Sequence, residues 1–153
     1  MKGTVIYRSP VGDIQVDYDG EFVTALKNAD KNAKNGEATK LTETVFKQLN
    51  EYFCGQRKTF DFPYKLSGTA FQKQVWNELL KIPYGETRSY KDVAAAVGRP
   101  KACRAVGAAN RSNPIFIVIP CHRVIGADGT LTGYGGGIAM KRALLNLEAK
   151  YNK

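Results

Sequence analysis

A thiol and an imidazole stand side by side at Cys121-His122, with Arg123 directly after them. His122 is the only histidine of the 153-residue chain. A thiol attacks as the thiolate, and a neighbouring base or positive charge raises the thiolate fraction. Ahead of the pair, Ile115-Phe116-Ile117-Val118-Ile119 is apolar and mostly β-branched, which predicts a short buried strand. Pro120 ends that run, because proline has no N–H for a sheet ladder. Such a strand would hold a nucleophile rigidly. By itself the pair also fits a small buried cysteine beside a structural histidine, so the surrounding residues must decide.

Composition narrows the classes. Cys54, Cys103 and Cys121 are odd in number and widely spaced, which predicts free thiols in a reducing cytosol rather than a disulfide frame. One histidine and no C-x-x-C leave no zinc site. No apolar run suits a membrane span, and Met1-Lys2-Gly3-Thr4-Val5 enters a strand-like pattern at once rather than a signal peptide. The net charge of +9 is unevenly placed: 10 Lys/Arg face 9 Asp/Glu in residues 1–67, against 13 and 5 in residues 68–153. The basic excess therefore lies in the half that carries Cys121. It favours a polyanionic partner, most simply nucleic acid.

The elements that must position the pair can be read in order. Thr4–Ser9, Asp13–Tyr18 and Phe22–Leu26 are short and β-rich, with turns at Pro10-Val11-Gly12 and Asp19-Gly20. Asn28 to Lys40 is a polar loop. Leu41, Val45, Leu49, Tyr52 and Phe53 then fall on one helical face, Gly55 is the stop, and Cys54 reads as packing. Phe60-Asp61-Phe62-Pro63-Tyr64 is extended and aromatic, suited to packing on its own sheet or to stacking bases. None of these residues forms a chemical constellation.

The second half carries more signals. Thr69 with Gln72, and Ser89 with Asp92, are capping-box starts. Phe71, Val75, Trp76, Leu79 and Leu80 share a face of the first helix, and Ile82-Pro83-Tyr84-Gly85-Glu86-Thr87 breaks it. Tyr90, Val93, Ala94 and Val97 share a face of the second helix, which ends at Gly98-Arg99-Pro100. A third helix follows at about Ala102–Asn110. Two short helices joined by a glycine-containing turn have the shape of a helix-turn-helix. The third helix divides into an apolar face (Ala102, Ala105, Val106, Ala109) and an opposite one (Arg104, Gly107, Ala108, Arg111). Arginines separated by the smallest side chains would let that second face lie close to a phosphate backbone. Leu131 to Gly137 is a glycine-rich loop around Tyr134 without the spacing of a phosphate loop, suited to a lid. The last helix, Ile138 to Lys150, sets Met140, Leu144 and Leu147 on one face. It carries Glu148 near its end, a poor place for the helix dipole, which invites a partner for that carboxylate.

In these motifs the chain resembles the O6-alkylguanine-DNA alkyltransferases, from about Gly68 to Glu148. The motifs are Gly68-Thr69-Ala70-Phe71-Gln72 with Val75-Trp76, Ile82-Pro83-Tyr84-Gly85-Glu86-Thr87, Arg104-Ala105-Val106-Gly107 with Ala109-Asn110, Asn113-Pro114-Ile115, Pro120-Cys121-His122-Arg123-Val124-Ile125, and Gly133-Tyr134 with Gly136-Gly137. The N-terminal half matches the family's layout only loosely in sequence. The resemblance implies that Cys121 accepts the alkyl group, His122 draws its proton through a water, and Glu148 orients His122. It implies that Tyr90 donates to the departing guanine and that Asn113 braces the turn before the cysteine. Arg104 would enter the DNA stack where the flipped base was, with Ala105, Gly107, Ala108, Arg111 and Arg123 completing the DNA contact. Trp76, Tyr90, Val124, Tyr134 and Gly135 would form the substrate pocket.

The expected fold is α+β: a small N-terminal antiparallel sheet with a helix (1–67, a supporting lobe), then a mainly helical lobe (68–153) with the helix-turn-helix and a short strand leading to Cys121. The implied activity is irreversible, stoichiometric repair of O6-alkylguanine in double-stranded DNA after base flipping, with O4-alkylthymine open as a second substrate. No cofactor, metal, membrane or obligate protein partner is expected, and the protein would act as a cytoplasmic monomer, on the nucleoid if the cell is prokaryotic. Gly135 stands where many relatives have serine, and Phe116 occupies a position that varies among them. Three other readings stay open at this point: a non-catalytic lesion-binding protein, a helix-turn-helix regulator and a cysteine hydrolase.

Overall fold

Residues 2–28 fold as an antiparallel meander in the order β1 (Lys2–Ser9), β2 (Gly12–Asp19) and β3 (Phe22–Asn28). This computed structural model describes residues 1–132, 134 and 137–152. The register pairs Val5 with Val16 and Val16 with Leu26, so one file of branched side chains runs across the sheet and is buried. Gly20, at φ +61°, makes the second hairpin turn in a conformation that other residues rarely adopt. Helix α1 (Lys40–Phe53) starts at Thr39, which forms a capping box with Thr42 rather than with the Glu or Gln that usually marks one. Val45, Leu49, Tyr52 and Phe53 are its buried apolar residues, and Phe46 stacks on Tyr7 of β1 with ring centres 4.8 Å apart. Burying each such large side chain is worth roughly 1.5–3 kcal/mol. Of the two readings of the 60–64 stretch, packing holds: Tyr64 bridges to Val23 of β3 and Phe62 is buried. Cys54, read as packing, is exposed, because it caps α1 beyond that helix's buried face.

The chain divides into two compact units, Met1–Ser67 and Gly68–Lys153. In the second, α2 (Ala70–Leu79) and α3 (Tyr90–Ala96) both begin with the capping boxes read from the sequence. Helix α4 (Cys103–Arg111) packs against both of them. Trp76 of α2 is the largest buried side chain, and its indole N–H donates to Ala109 O of α4 at 2.8 Å. Leu80, placed by spacing on the buried face of α2, is exposed, since α2 ends at Leu79 and the chain turns away there. Ala105 is exposed too; the inner face of α4 is Val106, Ala109 and Asn110. Two-residue strands β4 (Arg88–Ser89) and β5 (Val124–Ile125) pair in parallel, a contact with no sequence signal. Helix α5 (Ile138–Tyr151) closes the unit.

The run Ile115–Ile119 is buried as expected but is not a strand. It folds back on itself: Val118 N–H donates to Phe116 O at 2.8 Å and Ile119 N–H to Ile115 O at 3.0 Å. Ile117 sits at φ +71°, a left-handed conformation that costs a β-branched residue about 1–3 kcal/mol. Asn113 holds this conformation from both ends, its Oδ1 accepting from Ile115 N–H at 3.0 Å and its Nδ2 donating to Ile119 O at 2.7 Å. A β-branched apolar run signals burial reliably, but it signals a strand only where a pairing strand exists.

Candidate active site

The chain leaves Pro120 as a single 3-10 turn, Cys121–Arg123. All three side chains are buried. Cys121 is held by its backbone: its N–H donates to Ile119 O at 2.7 Å, and its carbonyl accepts from Asn110 Nδ2 of α4 at 3.2 Å. Helix α5 meets the turn from the other side. Lys141, Leu144 and Glu148 recur at helical spacing on its inner face, and all three are buried.

Glu148 collects the charges. His122 Nε2 lies 2.6 Å from Glu148 Oε2. Arg123 donates from Nε to Oε1 at 2.8 Å and from Nη2 to Oε2 at 3.0 Å, and its Nη1 donates to Ile82 O at 2.7 Å. Gly85 N–H adds a fourth bond to the carboxylate, at 3.1 Å. Burial alone would push the Glu148 carboxyl up, but the hydrogen bonds and charges of His122 and Arg123 outweigh it and hold the group well below the usual carboxylate range. Burial also lowers the affinity of His122 for a second proton. Glu148 opposes that effect, whereas Arg123 and Lys141 reinforce it. The ionised carboxylate is thus paired with Arg123 and the imidazole is neutral. With Nε2 committed to Glu148, the proton sits on Nε2, and Nδ1 has no hydrogen-bond partner among the described residues.

Burial pushes the Cys121 thiol up to about 11, against the pull of Asn113 and Lys141. The resting sulfur is therefore a thiol, and thiolate costs about 3 kcal/mol more here than in an unperturbed cysteine. Such a site needs a base at the moment of reaction. Lys141 is fully buried, donates to Thr132 O at 2.8 Å and also to Val124 O, and reaches Tyr90 Oη at 3.5 Å. Burial brings its ammonium down to about 8, which Cys121 partly counters. Tyr90 donates its hydroxyl to Thr132 O at 2.6 Å; burial raises its pKa and that hydrogen bond moderates the rise.

A cleft of about 370 Å³ is lined by Tyr90, Cys103, Arg104, Gly107, Arg111 and Thr132. Arg104, Ala105, Ala108 and Arg111 are exposed on the outer side of α4. An added Cβ at Gly107 would meet only Tyr90, at 4.0 Å, so that side of the helix is bare of bulk.

The structure thus gathers Cys121, His122, Glu148 and Asn113, with Val124 on β5 and Tyr134, whose ring stacks on Phe116 at 6.4 Å. Two expectations change. Arg123, expected on DNA, is 6% exposed and its donors go to Glu148 and Ile82, because an internal carboxylate offers a bidentate partner that a surface arginine lacks. Trp76, core by its helical spacing but expected in the substrate pocket by resemblance, is core: α4 covers it and takes its only N–H. Gly135 lies outside the described residues. Lys141 and Asn110 carried no role in the sequence reading. Lys141 has a usable signal, since it lies seven residues before Glu148 on the same helical face, but an amphipathic helix makes a lysine look solvated. Among the described residues no group of His, Cys, Asp or Glu could hold a metal ion.

A buried thiol beside a carboxylate-held imidazole, on a helical unit with an exposed basic helix, defines a nucleophilic site built next to a nucleic-acid-binding motif. The chain belongs to the 6-O-methylguanine DNA methyltransferase family: residues 70–150 match its DNA binding domain and residues 4–66 its ribonuclease-like domain. It is 48% identical over 145 residues to a methylated-DNA–protein-cysteine methyltransferase of Mycobacterium tuberculosis, covering 92% of this chain and 88% of that one. A protein of the same description from Methanosarcina acetivorans is 46% identical over 149 residues, covering 94% and 96%. The solved structure of Mycobacterium tuberculosis OGT in complex with DNA matches with a TM-score of 0.90 at 46% identity, covering 97% of this chain and 93% of that one.

Proposed function

We propose that the protein repairs DNA by moving an alkyl group from O6-alkylguanine to Cys121. Sγ forms a bond to the alkyl carbon as the bond from that carbon to O6 breaks. The thiol proton goes to His122 Nδ1 through a water, and guanine takes up a proton from Tyr90. One bond is made, one is broken, and the protons given up and taken up are equal in number. The observation that carries this reading is His122, bonded through Nε2 to the buried Glu148 while Nδ1 has no partner among the described residues, immediately after a buried cysteine. A thiol raised to about 11 reacts slowly unless its proton leaves during the attack, which is the task of a neutral imidazole.

DNA is the partner of the exposed α4 face. A flipped base enters the cleft beside Tyr90, and Arg104 fills the gap that it leaves. Asn113 supports the site by fixing the strained Ile117 turn that delivers Cys121. The thioether product has no leaving step, so each molecule reacts once, as a monomer.

The test is intact-protein mass after incubation with a duplex carrying one O6-methylguanine, followed by peptide mapping. One hydrogen replaced by one methyl, on Cys121 and never more than once, is the expected result; Cys121→Ser is expected to remain unmodified while still binding DNA. Unchanged mass with tight lesion binding would overturn the assignment.

A further inference from the structure

Arg123 lies within the charged cluster next to Cys121, yet its assigned donors go to Glu148 and Ile82 and it does not line the Tyr90–Arg104 cleft. Two cationic or potentially cationic groups, His122 and Arg123, share one buried carboxylate. Their order of claim matters. A buried carboxylate without a fixed cation draws a proton to itself or to its nearest base. With only His122 beside it, Glu148 would favour an imidazolium, and an imidazolium has no lone pair to accept the thiol proton.

We propose that Arg123 is a positioning residue that shares Glu148 with His122 and thereby fixes which nitrogen of His122 carries a proton and which receives one from Cys121. This rests on the reading of His122 as the base. The guanidinium is planar and permanently charged, and it meets both carboxylate oxygens at 2.8 and 3.0 Å. It supplies the full countercharge, so the imidazole completes the carboxylate's bonding with a neutral N–H. Its third anchor, Nη1 to Ile82 O, ties this arrangement to the 82–85 turn, whose Gly85 N–H binds the same carboxylate. The other charged or titratable groups around the pair are Lys141 on α5, Cys121 on the turn itself, Tyr84 in the 82–85 turn and Tyr134 against Phe116. Among these neighbours only Lys141 is a second cation. Its ammonium is turned to Val124 O and Thr132 O rather than to Glu148, so it does not replace Arg123.

The chain's single histidine makes the test direct, because its ring nitrogen resonances need no assignment. Nitrogen NMR of the full chain reads the tautomer and charge of His122, and single-turnover transfer from free O6-benzylguanine gives the pH profile without a DNA step. In the unaltered protein His122 is expected to be neutral, with its proton on Nε2, from pH 6 upward. In Arg123→Gln it is expected to be imidazolium at pH 7. The acid limb of transfer then moves up by about three pH units, which is about a tenfold loss at pH 7 that recovers near pH 9. Arg123→Lys keeps a cation, serves as the second variant should the glutamine one fail to fold, and is expected to shift the limb in the same direction by less. An unmoved tautomer and profile, with the rate lowered equally at every pH, would overturn the proposal and leave Arg123 a structural tie. An unmoved tautomer with weakened DNA binding would return it to the DNA contact. A histidine that becomes charged while transfer is unaffected would support the role of Arg123 and remove His122 as the base.

Discussion

Arg104 and Arg111 on α4 and Arg123 on the turn after Pro120 are the same residue type in the same unit, and they have opposite fates. The first two are exposed, carry no ion pair among the described residues, and border an open cleft. The third is buried against Glu148 with its donors assigned. What separates them is the group across from each: a carboxylate inside the protein for one, and space that a phosphate can enter for the others. Charge count alone, which placed the basic excess in residues 68–153, cannot tell a cation that binds DNA from one that neutralises a neighbour.

Removing the internal partner gives the largest effect. Glu148→Ala leaves Arg123 buried without its carboxylate and His122 without its orienting bond, and should cost about 3–5 kcal/mol in denaturant unfolding. A cost under about 1 kcal/mol would mean that water reaches the cluster. Next comes acid. His122 and Glu148 both bind protons less readily in the folded protein than in the unfolded chain, so their contribution is complete above the ordinary histidine pKa of 6.5; that of His122 is lost progressively below 6.5 and that of Glu148 below 4.5, each loss continuing down to the lower folded-state value. Midpoints of thermal unfolding measured from pH 8 to about 2.5 should fall steadily below pH 6.5, and Glu148→Gln should flatten the part of that curve below pH 4.5.

The exposed pair should behave differently. Arg104→Ala is expected to slow transfer from duplex DNA about tenfold or more, with an unaltered rate on free O6-benzylguanine and no loss of stability. Equal losses on both substrates would take Arg104 out of the extrusion step. Arg111→Ala should do least: DNA affinity falls modestly, and the slope of log K against log salt drops by about 1. A sequence-dependent loss would make Arg111 a base reader instead.

Much of this was legible before the coordinates. The capping boxes at Thr69 and Ser89, the meander and the helical faces follow from local rules, because capping and amphipathic periodicity are short-range. The Cys121-His122 pair was visible as a chemical anomaly, and Glu148 as a carboxylate at the wrong end of a helix. The misreadings have one physical origin. Arg123 went to DNA, Ala105 to the core and Ile115–Ile119 to a strand because each depends on what lies opposite in space. Asn113 turns a strand-like run into a hairpin-tight loop, and a carboxylate 25 residues away claims an arginine. Lys141 was passed over for the same reason: its acceptors, Val124 O and Thr132 O, belong to backbone that folding brings to it.

Helix α4 ties the two regions together in one more way. Arg104 near its start faces outward, and Asn110 near its end faces inward and grips the carbonyl of Cys121. Six residues along a helix advance about 9 Å and make about one and two-thirds turns, which leaves the two side chains about 120° apart round the axis. On the proposed reading the helix is therefore a spacer of fixed gauge, with the nucleic acid at one edge and the sulfur at the other. On that reading a base that reacts must leave its stack and pass to the inner side of α4, which a base still paired in its duplex does not reach. Discrimination between paired and extruded bases would in this sense be a measurement of length, made by nine residues of backbone before any chemistry begins.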